Sequence, residues 1–263
     1  MRTSDSPLGL LLRHWRQVRR MSQLALAHHA QVSPRHLSFI ESGRSSPSRE
    51  MVITLAGALR VPLRERNDLL LAAGYAPVYR ESDLAGPAMT QVRAALERAL
   101  AHHEPYPAVV MDRHWNLTQA NPSAEAMFGH LRGSPPATAG ANVIRLMFDP
   151  RELRPHVANW EQVAPALIQR VHREAVGGVP DAVTRALLAE VLSGPGLPAG
   201  WREPDLTTAL LPIIPVTFAK DGLTVSYFSM ITTVGTPQDV TAQELRVESF
   251  YPADPGTERH RWT

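Results

Sequence analysis

The sequence contains no cysteine and a single lysine, Lys220. Without cysteine there is no disulfide framework, no thiolate nucleophile and no thiolate metal ligand. No stretch reaches the run of roughly 18 apolar residues that a membrane-spanning helix needs. The first residues are polar and then charged, without the apolar core of a secretory leader, so a cytoplasmic protein is expected. Also missing are a glycine-rich phosphate loop, a Gly-x-Ser-x-Gly turn and any zinc-ligand spacing. The histidine and acidic groupings that do occur are His28-His29, His102-His103-Glu104 and the set Asp149, Glu152 and His156. Adjacent helical residues diverge by about 100°, so neighbouring histidines do not share a face. They are read as exposed or capping residues. No catalytic residue, metal or cofactor is expected, and the chain is not read as an enzyme.

What is present is a strong asymmetry. Residues 1–80 hold 12 arginines against 5 carboxylates, a net of +7, while residues 81–263 hold 15 basic against 20 acidic residues, a net of −5. A basic N-terminal third followed by an acidic remainder suits one module that meets phosphates and another that does not. The length of 263 residues, 44% of them hydrophobic, allows two domains, each with a core.

Met21 to Arg44 carries the sharpest pattern. Ser22 is placed to cap a short helix whose Leu24, Ala27 and Ala30 recur at helical spacing. Gln31-Val32-Ser33 interrupts it. Ser33 then caps a second helix with Pro34 at its first position, and Gly43 closes it. Leu37 and Ile40 face inward with Val32, which leaves Arg35, His36, Ser38 and Phe39 mostly outward. Two such helices form a helix-turn-helix, whose second helix lies in the major groove of double-stranded DNA. Arg35 suits guanine, His36 and Ser38 suit polar base edges, and Phe39 suits a thymine methyl. Gln23 and Arg44 are placed for phosphates. Flanking helices are expected over Leu8 to Arg20, Arg49 to Leu59 and Leu63 to Ala73, with Arg13, Arg16, Arg19 and Arg20 on polar faces of the first.

This region resembles the lambda-repressor-like DNA-binding domain of XRE-family regulators. The residues that carry the likeness are the Leu10–Arg20 helix, Ser22-Gln23 with Leu26-Ala27, Val32-Ser33, and Leu37-Ser38 with Ile40-Glu41-Ser42-Gly43-Arg44, followed by Pro47. The family often has a polar residue where Phe39 stands. The resemblance implies five helices around one core, here residues 1–75.

Residues 76–88, with two prolines and a glycine, read as a linker in which Tyr79 could dock on either side. The second domain is then expected over residues 89–263. A helix from Met89 to His103 carries the stripe Val92, Ala95, Leu96 and Ala99. Ala108 to Gln119 reads as strand, turn, strand, and Asn121-Pro122 opens a helix closed by Gly129, a layout of PAS-type sensors. Helices follow over Asn142–Phe148, Arg154–Val176 (kinked at Pro165) and Asp181–Leu192, the last with Val183 inside. Strand patterns close the chain over Leu211–Val216, Leu223–Thr232 and Glu244–Phe250, with Asp221-Gly222 as a hairpin turn. Trp201 falls in an irregular stretch, and the tail after Tyr251 is expected to fray.

The second domain resembles the ligand-binding domain of MmyB-like transcription regulators. The likeness rests on Pro107-Ala108 with Val110, Trp115-Asn116, Ala120-Asn121, Phe128-Gly129, Asn142 with Arg145 and Phe148, and Asn159-Trp160-Glu161 with Val163-Ala164. The family usually has Asp where Asn159 stands. It implies an α+β PAS-like domain with an antiparallel sheet that binds a small molecule, in at least one case fatty-acid-like. Apolar lining is expected from Val110, Phe148, Trp160, Leu167, Phe228 and Met230, with Asn121 or His156 as polar anchor. The expectation is a homodimeric regulator that binds a DNA operator and senses a small apolar molecule. The rivals are a second domain that only dimerises, and an enzyme domain using His102 or Glu104.

Overall fold

The computed structural model describes residues 6–133, 140–174, 181–195, 197 and 213–262. The chain divides into two compact units. One comprises residues up to Ser82 together with Thr236–Gln243, and the other Asp83–Gly235 together with Glu244–Thr263.

The first unit is built from α1 (Pro7–Val18), α2 (Gln23–His29), α3 (Pro34–Glu41), α4 (Arg49–Ala58) and α5 (Leu63–Ala72). Each of α2, α3 and α4 is opened by a serine. The hydroxyls of Ser22, Ser33 and Ser48 accept from the amides of Ala25, His36 and Met51 at 3.0, 3.1 and 3.2 Å. Such caps stabilise a short helix by about 1 kcal/mol each, which matters where seven or eight residues cannot form a helix alone. The core is aliphatic: Leu12, Leu26, Leu37, Leu55, Leu59, Leu69 and Leu70 are all fully buried. Leu24, expected inside, is 67% exposed, because the short α2 presents only Leu26 and Ala27 inward. Helices α1 and α3 approach closely at Gly9, where a Cβ would fall 2.2 Å from the Glu41 carbonyl oxygen.

Pro62 leaves α5 without a side-chain cap. Its first amide, on Leu63, donates instead to Oε1 of Gln243 at 2.7 Å. Gln243 belongs to Thr236–Gln243, which pairs with the end of the expected linker. The Val240 amide donates to the Arg80 carbonyl at 2.8 Å, Asp239 accepts from the Ser82 amide at 3.1 Å, and Thr241 donates to the Ser82 carbonyl at 2.8 Å. Tyr79 docks on this unit too, with its carbonyl and amide on Asn67 and its hydroxyl on Arg66.

The second unit opens with a single 3-10 turn and α6 (Thr90–His102). Its buried line is Met89, Leu96 and Leu100, while Ala95 and Ala99 of the expected stripe are exposed. Then come β1 (Ala108–Met111), β2 (Leu117–Ala120), α7 (Pro122–Arg132), α8 (Val143–Phe148), α9 (Trp160–Glu174), α10 (Ala182–Leu192), β3 (Val216–Lys220) and β4 (Leu223–Thr233). After α11 (Val240–Glu244), which belongs to the first unit as far as Gln243, come β5 (Arg246–Pro252) and α12 (Pro255–Arg259) of the second. The strands form one antiparallel sheet in the order β2-β1-β5-β4-β3, the α+β architecture expected. Asp221 and Gly222 both take positive φ, 49° and 80°, as a two-residue hairpin turn requires.

Several boundaries differ from expectation for local reasons. Helix α7 runs through Gly129 and stops at Gly133, whose φ of 67° ends it. The helix expected from Arg154 begins only at Trp160: Val157 bridges to Phe218, and Asn159 ties to β3 by accepting from the Thr217 amide at 3.0 Å. β3 starts at Val216 rather than Leu211, immediately after Pro215, which cannot donate to a ladder. Residues 211–212 and Trp201 lie outside the described residues. Val183 is 54% exposed, α10 turning Leu187, Leu188 and Val191 inward. The tail is held: Asp254 caps α12, Thr257 is buried, and the Trp262 indole donates to the Tyr227 hydroxyl at 2.9 Å.

Candidate DNA interface and ligand pocket

On α3, Ser33 caps the first turn, Arg35 is exposed, and His36, Ser38 and Phe39 are half-buried. The Phe39 ring has the guanidinium of Arg35 5.4 Å from its centroid and that of the exposed Arg44 at 5.5 Å. Both lie within the range of cation–π attraction, about 6 Å. Phe39 is thus a plate that orients the guanine candidate and the phosphate candidate.

Behind this surface lies a residue that carries the likeness to XRE-family regulators but was expected to play no part of its own. Glu41, 3% exposed, accepts from Arg16 Nε at 2.9 Å and Nη2 at 3.0 Å, and from Gln23 Nε2 at 3.1 Å. One carboxylate therefore joins α1, α2 and α3. It holds the Arg16 guanidinium above its already high range, chiefly through the hydrogen bond. Arg16 and Gln23 are fixed from within, and Arg19 donates to the carbonyls of Leu59 and Arg60 at 2.9 Å each. The signal was available: a glutamate beside Ile40, on the face turned toward the arginines of α1.

The second unit forms a half-open cavity of about 480 Å³ between the sheet and α7, α8 and α9. This lies within the roughly 300–1,000 Å³ usual for small-molecule sites. Most of the wall is apolar, including Met127, Val163, Leu167, Phe218 and Phe250. Ile213 and Ile231, 56% and 38% exposed, also line it. One wall is polar. Glu248, 5% exposed, accepts from Arg170 Nη1 at 2.8 Å and Nη2 at 3.2 Å, and from the Ser229 hydroxyl. Arg170 in turn lies 4.4 Å from the centroid of the buried Trp115 ring.

Of the eight side chains expected to meet a ligand, the structure places Leu167 on this cavity. Phe228 and Met230 lie on the opposite face of β4, since Tyr227, Ser229 and Ile231 line the cavity and strand side chains alternate. Phe228 stacks on Tyr251 with centroids 5.6 Å apart. Val110 points away for the same reason, Val109 and Met111 being the β1 residues in the core beneath the helices. Asn121 is buried and spent. Its oxygen caps α7 and accepts from the Ala108 amide, both at 2.9 Å, and its amide donates to Tyr106 at 2.8 Å. Phe148 and Trp160 pack edge to face, 5.0 Å apart, and line a separate shallow depression or the core instead. His156 lies off the cavity, its pKa lowered by burial and then by Lys220. Glu104, the enzyme-reading candidate, is occupied by the amide and hydroxyl of Ser123 at the start of α7.

Where the chain returns from Gln243, Glu244 accepts from Arg113 at 2.8 Å, and Arg113 also donates to Asp181 at 2.7 Å, beside His114 at 2.8 Å. Burial pushes the Asp181 carboxyl up, but hydrogen bonds from Thr184 and His114 outweigh it and hold it well below the ordinary range.

Residues 92–262 match the family described as MmyB-like transcription regulator ligand binding domain, and residues 7–69 match a helix-turn-helix domain family. Among solved structures, one titled "Structure of an RNA-binding Light-Oxygen-Voltage Receptor" is 13% identical. It aligns over 94% of this chain and 59% of its own length with a TM-score of 0.28, too low to support any inference. No curated protein matches the chain significantly.

Proposed function

We propose that this chain, which belongs to the MmyB-like transcription regulator family, is a homodimeric cytoplasmic repressor or activator whose operator affinity is set by an apolar, acyl-chain-like ligand. A helix-turn-helix domain joined to a ligand-binding domain makes it a DNA-binding transcription regulator. The finer reading adds roles. Arg35, with His36 and Ser38, reads base edges from α3. Arg44 and the amides at the start of α2 meet phosphates, and Glu41 sets the three helices that carry them. Two copies would place two α3 helices on half-sites about 34 Å apart.

The observation that carries the reading is the path of the chain between β4 and β5. Both strands line the cavity, through Ser229 and Ile231 on one and Glu248 and Phe250 on the other. The segment between them, Thr236–Gln243, is part of the DNA-binding unit, where Gln243 caps α5 and Asp239 holds Ser82. A ligand that fits one spacing of β4 and β5 better than another therefore acts on backbone that continues into the DNA-binding unit. It can shift the equilibrium only by its difference in affinity for the two arrangements.

Selecting an operator from a random duplex library, then measuring binding with Arg35→Ala, tests the DNA half. The variant should lose preference at one base pair of each half-site, and a uniform loss across all sequences would remove Arg35 from the reading surface. Sedimentation with and without the selected duplex tests the dimer.

A further inference from the structure

After β5 the chain is first pinned and then loosely held. Ser226 of β4 donates its amide to Thr257 Oγ1 at 2.8 Å and accepts from the Ala253 amide at 2.8 Å. Thr257 is buried, so this end is fixed. Beyond it the contacts thin out. The Tyr106 hydroxyl meets the Glu258 carbonyl at 3.4 Å, and Arg261 lies 5.5 Å from the centroid of the Tyr106 ring. The firm contact is Trp262, partly buried against the core, whose indole donates to the Tyr227 hydroxyl at 2.9 Å. Helix α12, of five residues, is too short to hold this stretch in place by itself.

The same contact reaches the cavity. Tyr227 lines it from β4, and α7, which supplies Met127 and Phe128 to its wall, places His130 on the Trp262 ring. We infer that residues 258–262 are a strap that holds the Tyr227 wall of the half-open cavity, and that protonation of His260, packed with His130 around Trp262, releases it. The effect on a ligand rests on the reading of the cavity as its site; the release does not.

Two imidazoles flank the Trp262 ring, His260 at 4.5 Å and His130 at 5.7 Å between centroids. The Nε2 of each is buried with no hydrogen-bond partner among the described residues. A protonated ring, with a charge and two N–H groups to satisfy, is far costlier in such a place than a neutral one. Lifting the strap gives His260 to water. The surrounding charges favour the same direction. Burial lowers the pKa of His260, and His130 and Arg261 lower it further. Lys220 adds a fixed positive charge on the His130 carbonyl at 2.8 Å, and His156 lies within reach of both Lys220 and His130. Of the anions nearby, Asp221 acts on His156 and Asp254 on Tyr227, while Glu258 is exposed beside the exposed Arg259. His260 is therefore neutral in the docked strap and takes up a proton on release. That favours release by up to about tenfold per pH unit below about pH 6.5.

The chain has no cysteine, so Arg259→Cys, at an exposed position on α12, accepts one nitroxide label. Its spectrum separates docked from released strap in the full chain. Between about pH 7.5 and pH 5.5 the released-to-docked ratio should rise, with most of the rise below about pH 6.5. Adding His260→Gln should flatten the rise. Adding Trp262→Phe removes the hydrogen bond to Tyr227, and should raise the ratio roughly fivefold at every pH while keeping the slope. A merely structural His260 would move the ratio and leave the slope. A ratio that stays constant in protein shown to be folded by circular dichroism, or a slope that survives His260→Gln, overturns the release. For the cavity, dodecanol and dodecanoate serve as chain probes at neutral pH, each below its solubility or micelle limit. Trp262→Ala should let either leave about fivefold faster or more in stopped-flow displacement, since it removes that hydrogen bond together with the ring. An unchanged rate shows that the strap does not close the cavity and overturns that half. If neither compound binds, the ligand-site reading falls and takes that half with it, while the label still decides the release.

Discussion

Two buried glutamates, one in each unit, use the same chemistry to different ends. Glu41 and Glu248 are 3% and 5% exposed, and each is paired through both carboxylate oxygens with an arginine. Around Glu41 the partners are Arg16 and Gln23, and the space is filled by three helices. Around Glu248 the partners are Arg170 and Ser229, and the pair borders a cavity of about 480 Å³. The two pairs are about equally exposed, so what differs is the neighbour: packed helices beside one and a cavity beside the other. The contrast shows why burial of charge does not by itself mark a site: each carboxylate accepts the same set of bonds, two on one oxygen and one on the other, and only the neighbouring space differs.

The largest effect that would break this comparison concerns Glu41. Removing one partner of a mostly buried pair leaves the other charge poorly solvated, so Glu41→Ala should cost roughly 3–5 kcal/mol, read by chemical denaturation of the first unit. Glu248→Gln should cost distinctly less, because water entering the cavity can solvate Arg170. Equal losses would show that the two pairs are alike and that the cavity does not reach Glu248.

Next in size is the pocket phase. Leu167→Trp should fill the cavity and abolish the stabilisation that a bound ligand gives, about 2.7 kcal/mol at a hundredfold excess over its Kd. Met230→Trp, on the other face of β4, should leave that stabilisation intact. Loss in the second variant and not the first would reverse the assignment of faces.

That assignment also marks where sequence reading stops. Caps at Ser22 and Ser33, and the Asp221-Gly222 turn, were legible because each depends on one residue type at one position. The helices of the first unit followed from such signals and from periodicity, and the antiparallel sheet from the likeness to the MmyB-like family. The cavity did not, because Tyr227-Phe228-Ser229-Met230-Ile231 carries apolar side chains on both faces, and alternation alone gives no phase. Here the more polar residue, Ser229, faces the cavity, and Met230, 54% exposed, faces away. The Glu248 and Arg170 pair is 78 residues apart in sequence, and the capping of α5 by Gln243 spans 180, distances at which no local pattern speaks.

Arg35 and Arg44, both over Phe39, should separate in their effects on DNA. Arg35→Ala should cost about 1–3 kcal/mol on the selected operator, and Arg44→Ala should weaken all duplexes alike while flattening the salt slope by about one unit. Identical salt slopes in the two variants would mean that the shared aromatic plate does not distinguish their roles.

The smallest effect is on pH. Burial lowers the pKa of His156 and of His260, aided by Lys220 at the first and by His130 at the second. Both are held neutral when folded. Their contribution is complete above about pH 6.5 and is lost as pH falls from there through the depressed folded values. The second unit should melt at lower temperature on acidification through that window, and His156→Gln with His260→Gln should reduce the slope.

The central claim is that occupancy of the cavity changes DNA binding through strands β4 and β5. Anisotropy titration of the full chain onto its selected operator, with and without a saturating dodecyl compound, tests it most directly. The account predicts a shift in operator affinity of roughly 5–150-fold, and an equal shift in ligand affinity when operator is present, as linkage requires. A ligand that binds the cavity tightly while leaving operator affinity unchanged would contradict it.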